Sequence, residues 1–131
     1  MTCIFCEGIE TKQLLIQTDN FKVVLDIDPI QSGHLLIISK QHFMDIRELS
    51  DSALMELFKL QKQIINVYET HFPVDGLTII QNNGAIMDEG THFHIHIVPR
   101  YKGDDFWTYQ EVNYHPISIS ELVKLLEFER E

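Results

Sequence analysis

The sequence predicts an α+β fold: an antiparallel β-sheet of about five strands, one long helix and a short C-terminal helix. Three observations carry this. Apolar runs of strand length recur at residues 14–17, 21–26, 34–39, 76–81 and 92–98. Only Thr18-Asp19-Asn20 separates the first two, so they form a hairpin. Between the third and fourth runs, apolar residues recur at helical spacing from Ser50 to Phe72.

Taken in order, Leu14-Leu15-Ile16-Gln17 and Phe21 to Asp26 are the hairpin strands, and Pro29 forbids continuing the second. A carboxylate at a strand end, as Asp26 is, can accept hydrogen bonds from both hydroxyls of a ribose. The alternative is a turn-forming side chain, a role that suits Asp28 better. Ser32-Gly33 turns the chain into His34-Leu35-Leu36-Ile37-Ile38-Ser39, apolar enough for a central strand, with His34 a structural or supporting residue. Ser50 is the N-cap of the long helix, and Asp51 suits its first turn. Leu54, Leu57, Phe58, Ile64, Ile65 and Tyr68 form one apolar stripe toward the sheet, and Pro73 stops the helix. Gly76 to Gln81 is the next strand, and the Asn83-Gly84 step after it reads as a turn. Past Arg100, a loop carries Trp107, which either stacks on a base or is buried at an interface. Ser118 and Glu121 have capping-box spacing, and Leu122, Leu125 and Leu126 follow on one face of the C-terminal helix.

The last strand carries the chemistry. Histidines stand at 92, 94 and 96, and Phe93, Ile95 and Ile97 alternate with them. Successive strand side chains point to opposite faces, so the three imidazoles share one side and the apolar residues face a core. Imidazole ligates metals, shuttles protons near neutral pH or attacks electrophiles. A metal site built from this triplet alone is cramped, which favours a division of labour.

At 131 residues the chain is expected to be one domain, over 1–131, large enough for a core without staples. A formal charge of −10 argues against a nucleic-acid binder, which needs clustered Lys and Arg. A small nucleotide remains compatible if the site supplies hydrogen-bond donors. No signal peptide or membrane-spanning run is visible, so a cytoplasmic protein without a membrane partner is expected. Cys3-Ile4-Phe5-Cys6 is a redox pair, half a zinc site or a coincidence; its position at the chain start disfavours a thioredoxin-like role.

The run His92 to Val98 has the pattern His-φ-His-φ-His-φ-φ, with φ apolar, and resembles the signature of the histidine triad (HIT) nucleotide-binding proteins. The resemblance extends in order through Cys3 and Cys6, Leu25 to Pro29, Gly33 to His42, Asn82-Asn83-Gly84 and Pro99-Arg100-Tyr101. It implies a single HIT domain with a HIT-like fold, paired as a homodimer. Among family members with such cysteines, and in the related galactose-1-phosphate uridylyltransferases, two histidines complete the metal site. The implied ligands here are Cys3, Cys6, His42 and His92, a closed Cys₂His₂ set of the kind that holds structural zinc.

The resemblance further implies a nucleotide hydrolase acting at the α-phosphate through a covalent nucleotidyl-histidine. His94 matches the nucleophile, and His96 is placed to hydrogen-bond the phosphate or protonate the leaving oxygen. Asp26 matches the ribose-binding aspartate, Ile27 a base-pocket residue and Asn82 a nucleotide-binding asparagine. Implied substrates are dinucleoside polyphosphates such as diadenosine tetraphosphate, or nucleoside phosphoramidates. Capture of the same intermediate by phosphate or a sugar phosphate would make a nucleotidyltransferase or phosphorylase. Loss of turnover would leave a non-catalytic nucleotide-binding module. One stretch departs from the family: Met87-Asp88-Glu89-Gly90-Thr91 replaces the usual Gly-Gln-Ser/Thr-Val and is one residue shorter. Two carboxylates beside an anionic substrate are unfavourable unless they point outward or pair with Arg100 or Lys102, so the α-phosphate contacts are the part of the resemblance this stretch puts in question.

Overall fold

The computed structural model describes residues 3–108 and 110–128; the expected domain limits, 1 and 131, lie outside these. Five strands form one antiparallel sheet: β1 (Leu14–Gln17), β2 (Phe21–Leu25), β3 (Leu35–Ser39), β4 (Gly76–Gln81) and β5 (His94–Arg100), in the order β1-β2-β3-β5-β4. All neighbouring strands run antiparallel. β3 is central and buried along its whole length, as its unbroken apolar run requires. Three helices complete the elements used below: α1 (Ile4–Glu7), α2 (Asp51–His71) and α3 (Ile119–Phe128). No helix among the described residues is long and apolar enough to cross a membrane.

The sheet has two buried faces. On one, Phe21, Val23, Leu35, Ile37, Phe93, Ile95 and Ile97 pack against Ala53, Leu57, Leu60 and Ile64 of α2. The Ser50 hydroxyl accepts from the Ala53 N–H at 3.1 Å and caps that helix. Glu56 of α2 accepts hydrogen bonds from Thr18 and Asn20, which locks the β1–β2 turn onto the helix. On the other face, Val24, Leu36 and Ile38 pack with Phe5 of α1.

Three expectations need correction. The apolar stripe of α2 includes Leu60 and Ala53 but not Phe58, which is 52% exposed. Phe58 follows Leu57 directly and is turned about 100° from it around the helix axis. The last strand starts at His94, not His92. Just before it, the Phe93 N–H donates to the Phe43 carbonyl at 2.6 Å and the Phe93 carbonyl accepts from the Ser39 N–H at 3.2 Å. These bonds tie the segment to the end of β3 and to the chain just beyond it. The turn-forming carboxylate is that of Asp26, whose Oδ1 accepts from the Asp28 N–H at 2.8 Å. In α3 the cap is as expected, with the Glu121 N–H donating to Ser118 Oγ at 3.3 Å, while Leu122, Leu125 and Leu126 are exposed.

Candidate active site and metal centre

β5 delivers two imidazoles to one cavity. It pairs with β3 so that His94 lies opposite Ile38 and His96 opposite Leu36. The ring of His94 bonds through Nδ1 to the His92 carbonyl at 2.7 Å. A carbonyl only accepts, so Nδ1 carries the proton and Nε2 keeps its lone pair. His94 lines a cavity of about 650 Å³, large enough for a nucleoside monophosphate. Its apolar wall includes Phe5, Val24, Leu25, Ile27 and Leu36, and its polar groups include Asp26, Asp88, Thr91 and His96.

A second chain of bonds fixes His96. The Ile30 N–H donates to His34 Nδ1 at 3.1 Å, so the proton of neutral His34 sits on Nε2. That nitrogen lies 2.9 Å from His96 Nδ1 and 3.4 Å from Asp26 Oδ2. With His96 Nδ1 accepting, the proton of His96 falls on Nε2. Burial first, then the neighbouring His94 and His34, push the pKa of His96 down to about 4, against the opposing charges of Asp26 and Asp88. At neutral pH His96 is therefore an uncharged donor. His34 is almost fully buried, and burial lowers its pKa as well.

Asp26 and Ile27, which directly follow β2, line the cavity. Asn82 directly follows β4 and does not line it. Of the two carboxylates in the 87–91 stretch, Asp88 lines the cavity. The Arg100 guanidinium is already engaged by both carboxylate oxygens of Asp104, at 2.7 and 3.0 Å, and by the Thr78 hydroxyl. It lies over the Phe106 ring at 4.2 Å, so it clamps the following loop and leaves Asp88 alone. Trp107 at that loop's tip is exposed.

The two cysteines, His42 and His92 converge beside this cavity. One ligand atom from each of Cys3, Cys6, His42 and His92 lies within 4.8 Å of all the others. Cys3 Sγ is 3.1 Å and Cys6 Sγ 3.5 Å from His92 Nδ1, and Cys6 Sγ is 3.2 Å from His42 Nδ1. A tetrahedral Cys₂His₂ zinc site has sulfur–nitrogen edges of about 3.5 Å, so this set fits one ion. The His92 ring donates through Nε2 to the Ser39 carbonyl at 2.7 Å, which leaves Nδ1 free to coordinate. Both cysteines are unpaired thiols. Phe5, between them in sequence, sets its ring edge against His92 and His94, with centroids 5.6 and 4.8 Å away.

The chain is similar to known proteins in sequence and fold. The HIT domain family model matches residues 7–103. The chain belongs to the HIT family. It is 31% identical to the HIT protein "Protein hit" of Bacillus subtilis over 122 residues, covering 87% of this chain and 84% of that one. It is 32% identical over 104 residues to an adenosine 5'-monophosphoramidase of Schizosaccharomyces pombe, covering 76% and 75%. A third HIT relative, named adenylylsulfatase HINT3, from Arabidopsis thaliana, is 29% identical over 121 residues, covering 89% of this chain and 61% of its own. Among solved HIT structures, one from Bacillus subtilis superposes with a TM-score of 0.76 at 26% identity, covering 100% of this chain and 99% of that chain. A zinc-bound histidine triad protein from Mycobacterium smegmatis has a TM-score of 0.66 at 26% identity and 97% coverage of both chains.

Sequence reasoning assigned no site role to Phe5 and left His34 as support. No short pattern marks either. Each becomes visible only when α1 and β3 are placed against β5.

Proposed function

We propose that this chain is a nucleotide hydrolase that cleaves at the α-phosphate through a covalent nucleotidyl-histidine on His94. The observation that carries the reading is the bond from His94 Nδ1 to the His92 carbonyl. It holds the ring in the tautomer whose Nε2 lone pair can attack phosphorus, beside a cavity of nucleotide size. His96 Nε2–H donates to a phosphoryl oxygen, and its depressed pKa keeps it a neutral donor at pH 7. Asp26 takes the ribose hydroxyls with lone pairs not used by Asp28 or His34, and Ile27 and Leu25 take the base. Asn82 enters only through its resemblance to the family's site asparagine. The relatives named for phosphoramidase and adenylylsulfatase activity support the reaction class.

Cys3, Cys6, His42 and His92 are the residues that would hold zinc. Four protein ligands leave it no open position, so the metal would supply structure and no reaction chemistry. A homodimer is carried by the family resemblance alone, and sedimentation of the purified protein tests it.

Mass spectrometry after brief mixing with an adenosine phosphoramidate tests the nucleophile. The expected result is an adenylyl mass on the peptide containing His94, lost in His94→Ala together with product formation. Unchanged turnover by His94→Ala would reject the reading, and nucleotide binding by the wild type with neither adduct nor product would leave a binding module.

A further inference from the structure

The turn ending at Thr91 contributes Asp88 and Thr91 to the cavity wall. Its backbone is pinned on both sides. The Asp88 carbonyl accepts from the Thr91 N–H at 3.3 Å and from the Thr91 hydroxyl at 2.7 Å. Gly90 takes a left-handed conformation, with φ of 80°, and its carbonyl accepts from the Ile4 N–H at 2.8 Å. Among the described residues, no hydrogen bond or ion pair engages the Asp88 carboxylate, which lines the same cavity as His94 and His96. Its negative charge is felt at His96.

The charges around it are unbalanced. The acidic side chains lining the cavity are Glu10, Asp26 and Asp88, and the one lining cation among the described residues, Lys12, pairs with Glu10 at 3.2 Å. Lys22 is spent on the Phe5 carbonyl, and Arg100 on Asp104. A sulfate or polyphosphate leaving group would set further negative oxygens beside Asp88 with no cation to offset them. An amine bearing a second, positive group would find a partner there.

We propose that Asp88 selects the leaving group, so that this chain cleaves nucleoside phosphoramidates of cationic amines and disfavours anionic leaving groups. The inference rests on the reading of His94 as nucleophile. The Nε2 lone pair forms the bond to phosphorus, and the P–N bond breaks with its electron pair on nitrogen. That nitrogen takes a proton from the water whose hydroxide then displaces His94. The products are the nucleoside monophosphate and an amine, which takes a second proton from the new phosphate hydroxyl to become an ammonium. Asp88 faces the positive group of the bound amine throughout; it binds and does not exchange protons.

The test compares kcat/KM for three adenosine substrates: the phosphoramidate of a diamine, that of the matching uncharged alkylamine, and diadenosine tetraphosphate. The wild type is expected to prefer the diamine derivative over the alkylamine one by about tenfold at low salt, with the preference shrinking as salt screens it. Asp88→Asn should bring that ratio near one, Asp88→Glu should keep it, and Asp88→Lys should turn preference toward the tetraphosphate. A ratio unchanged in Asp88→Asn, or a wild type that cleaves the tetraphosphate best, with or without magnesium, overturns the proposal. An adenylyl–His94 adduct from every substrate with no effect of Asp88 rejects this proposal alone. Turnover that survives in His94→Ala rejects the underlying mechanism as well.

Discussion

At the scale of single residues, the site depends on which nitrogen of each ring carries a proton. The His92 carbonyl decides this for His94, and the Ile30 N–H decides it for His96 by way of His34. His96 also carries a pH signature. The unfolded chain protonates this imidazole near 6.5, and the folded chain only near 4. Stability from this group is therefore complete above about pH 6.5 and lost as pH falls to about 4, a total of roughly 3 kcal/mol. Urea unfolding at pH 7.0, 5.5 and 4.5, run for the wild type and His96→Gln, would show a shallower decline in the variant. Parallel declines would mean that His96 is not held neutral by the fold. Alternation of the histidines makes their common face legible from sequence alone. Their division of labour is not legible, because His34 lies 62 positions from His96 and no spacing rule links them.

At the scale of elements, the sheet and the long helix are legible because each repeats a pattern of period two or 3.6 over several residues. What the pattern leaves open is the width of a buried stripe. Leu57 and Phe58 both fall within the stripe that the spacing defines, but Leu57 is sealed in the core and Phe58 is half exposed. Leu57→Ala should cost about 2–5 kcal/mol, since it empties core volume. Phe58→Ala should cost under about 1 kcal/mol. Thermal or denaturant unfolding of the two variants checks this, and similar losses would restore the wider stripe. The start of β5 departs from the sequence pattern for a related reason. His92 continues the alternation in sequence, but its ring faces the cysteines and its neighbour Phe93 is bonded to Phe43, so the ladder begins two residues later.

At the scale of the whole molecule, the fold brings the first described residues against β5. α1 has only four residues, too few to hold a helix by itself. It is kept in place by the Phe5 contacts, by Lys22 bonding the Phe5 carbonyl and by the Cys3–Cys6–His42–His92 cluster, which joins positions up to 89 apart. Ile4 and Phe5 are also walls of the cavity, so the proposed zinc and the proposed nucleotide site share one element. An ion present at a hundred times its dissociation constant stabilises the fold by about 2.7 kcal/mol. For a chain of this length that corresponds to a Tm shift of about 10 °C. A strong chelator should therefore lower the Tm by that order, and readded zinc should restore it. Cys3→Ser with Cys6→Ser should start low and ignore the chelator. Loss of the ion should also raise KM for nucleotide more than it lowers kcat, because it loosens a binding wall and leaves the His94 tautomer bond intact. Equal Tm with and without chelator in protein shown by metal analysis to have held zinc would separate the ion from stability. An effect on kcat alone would place the ion in the chemistry, against the closed ligand set.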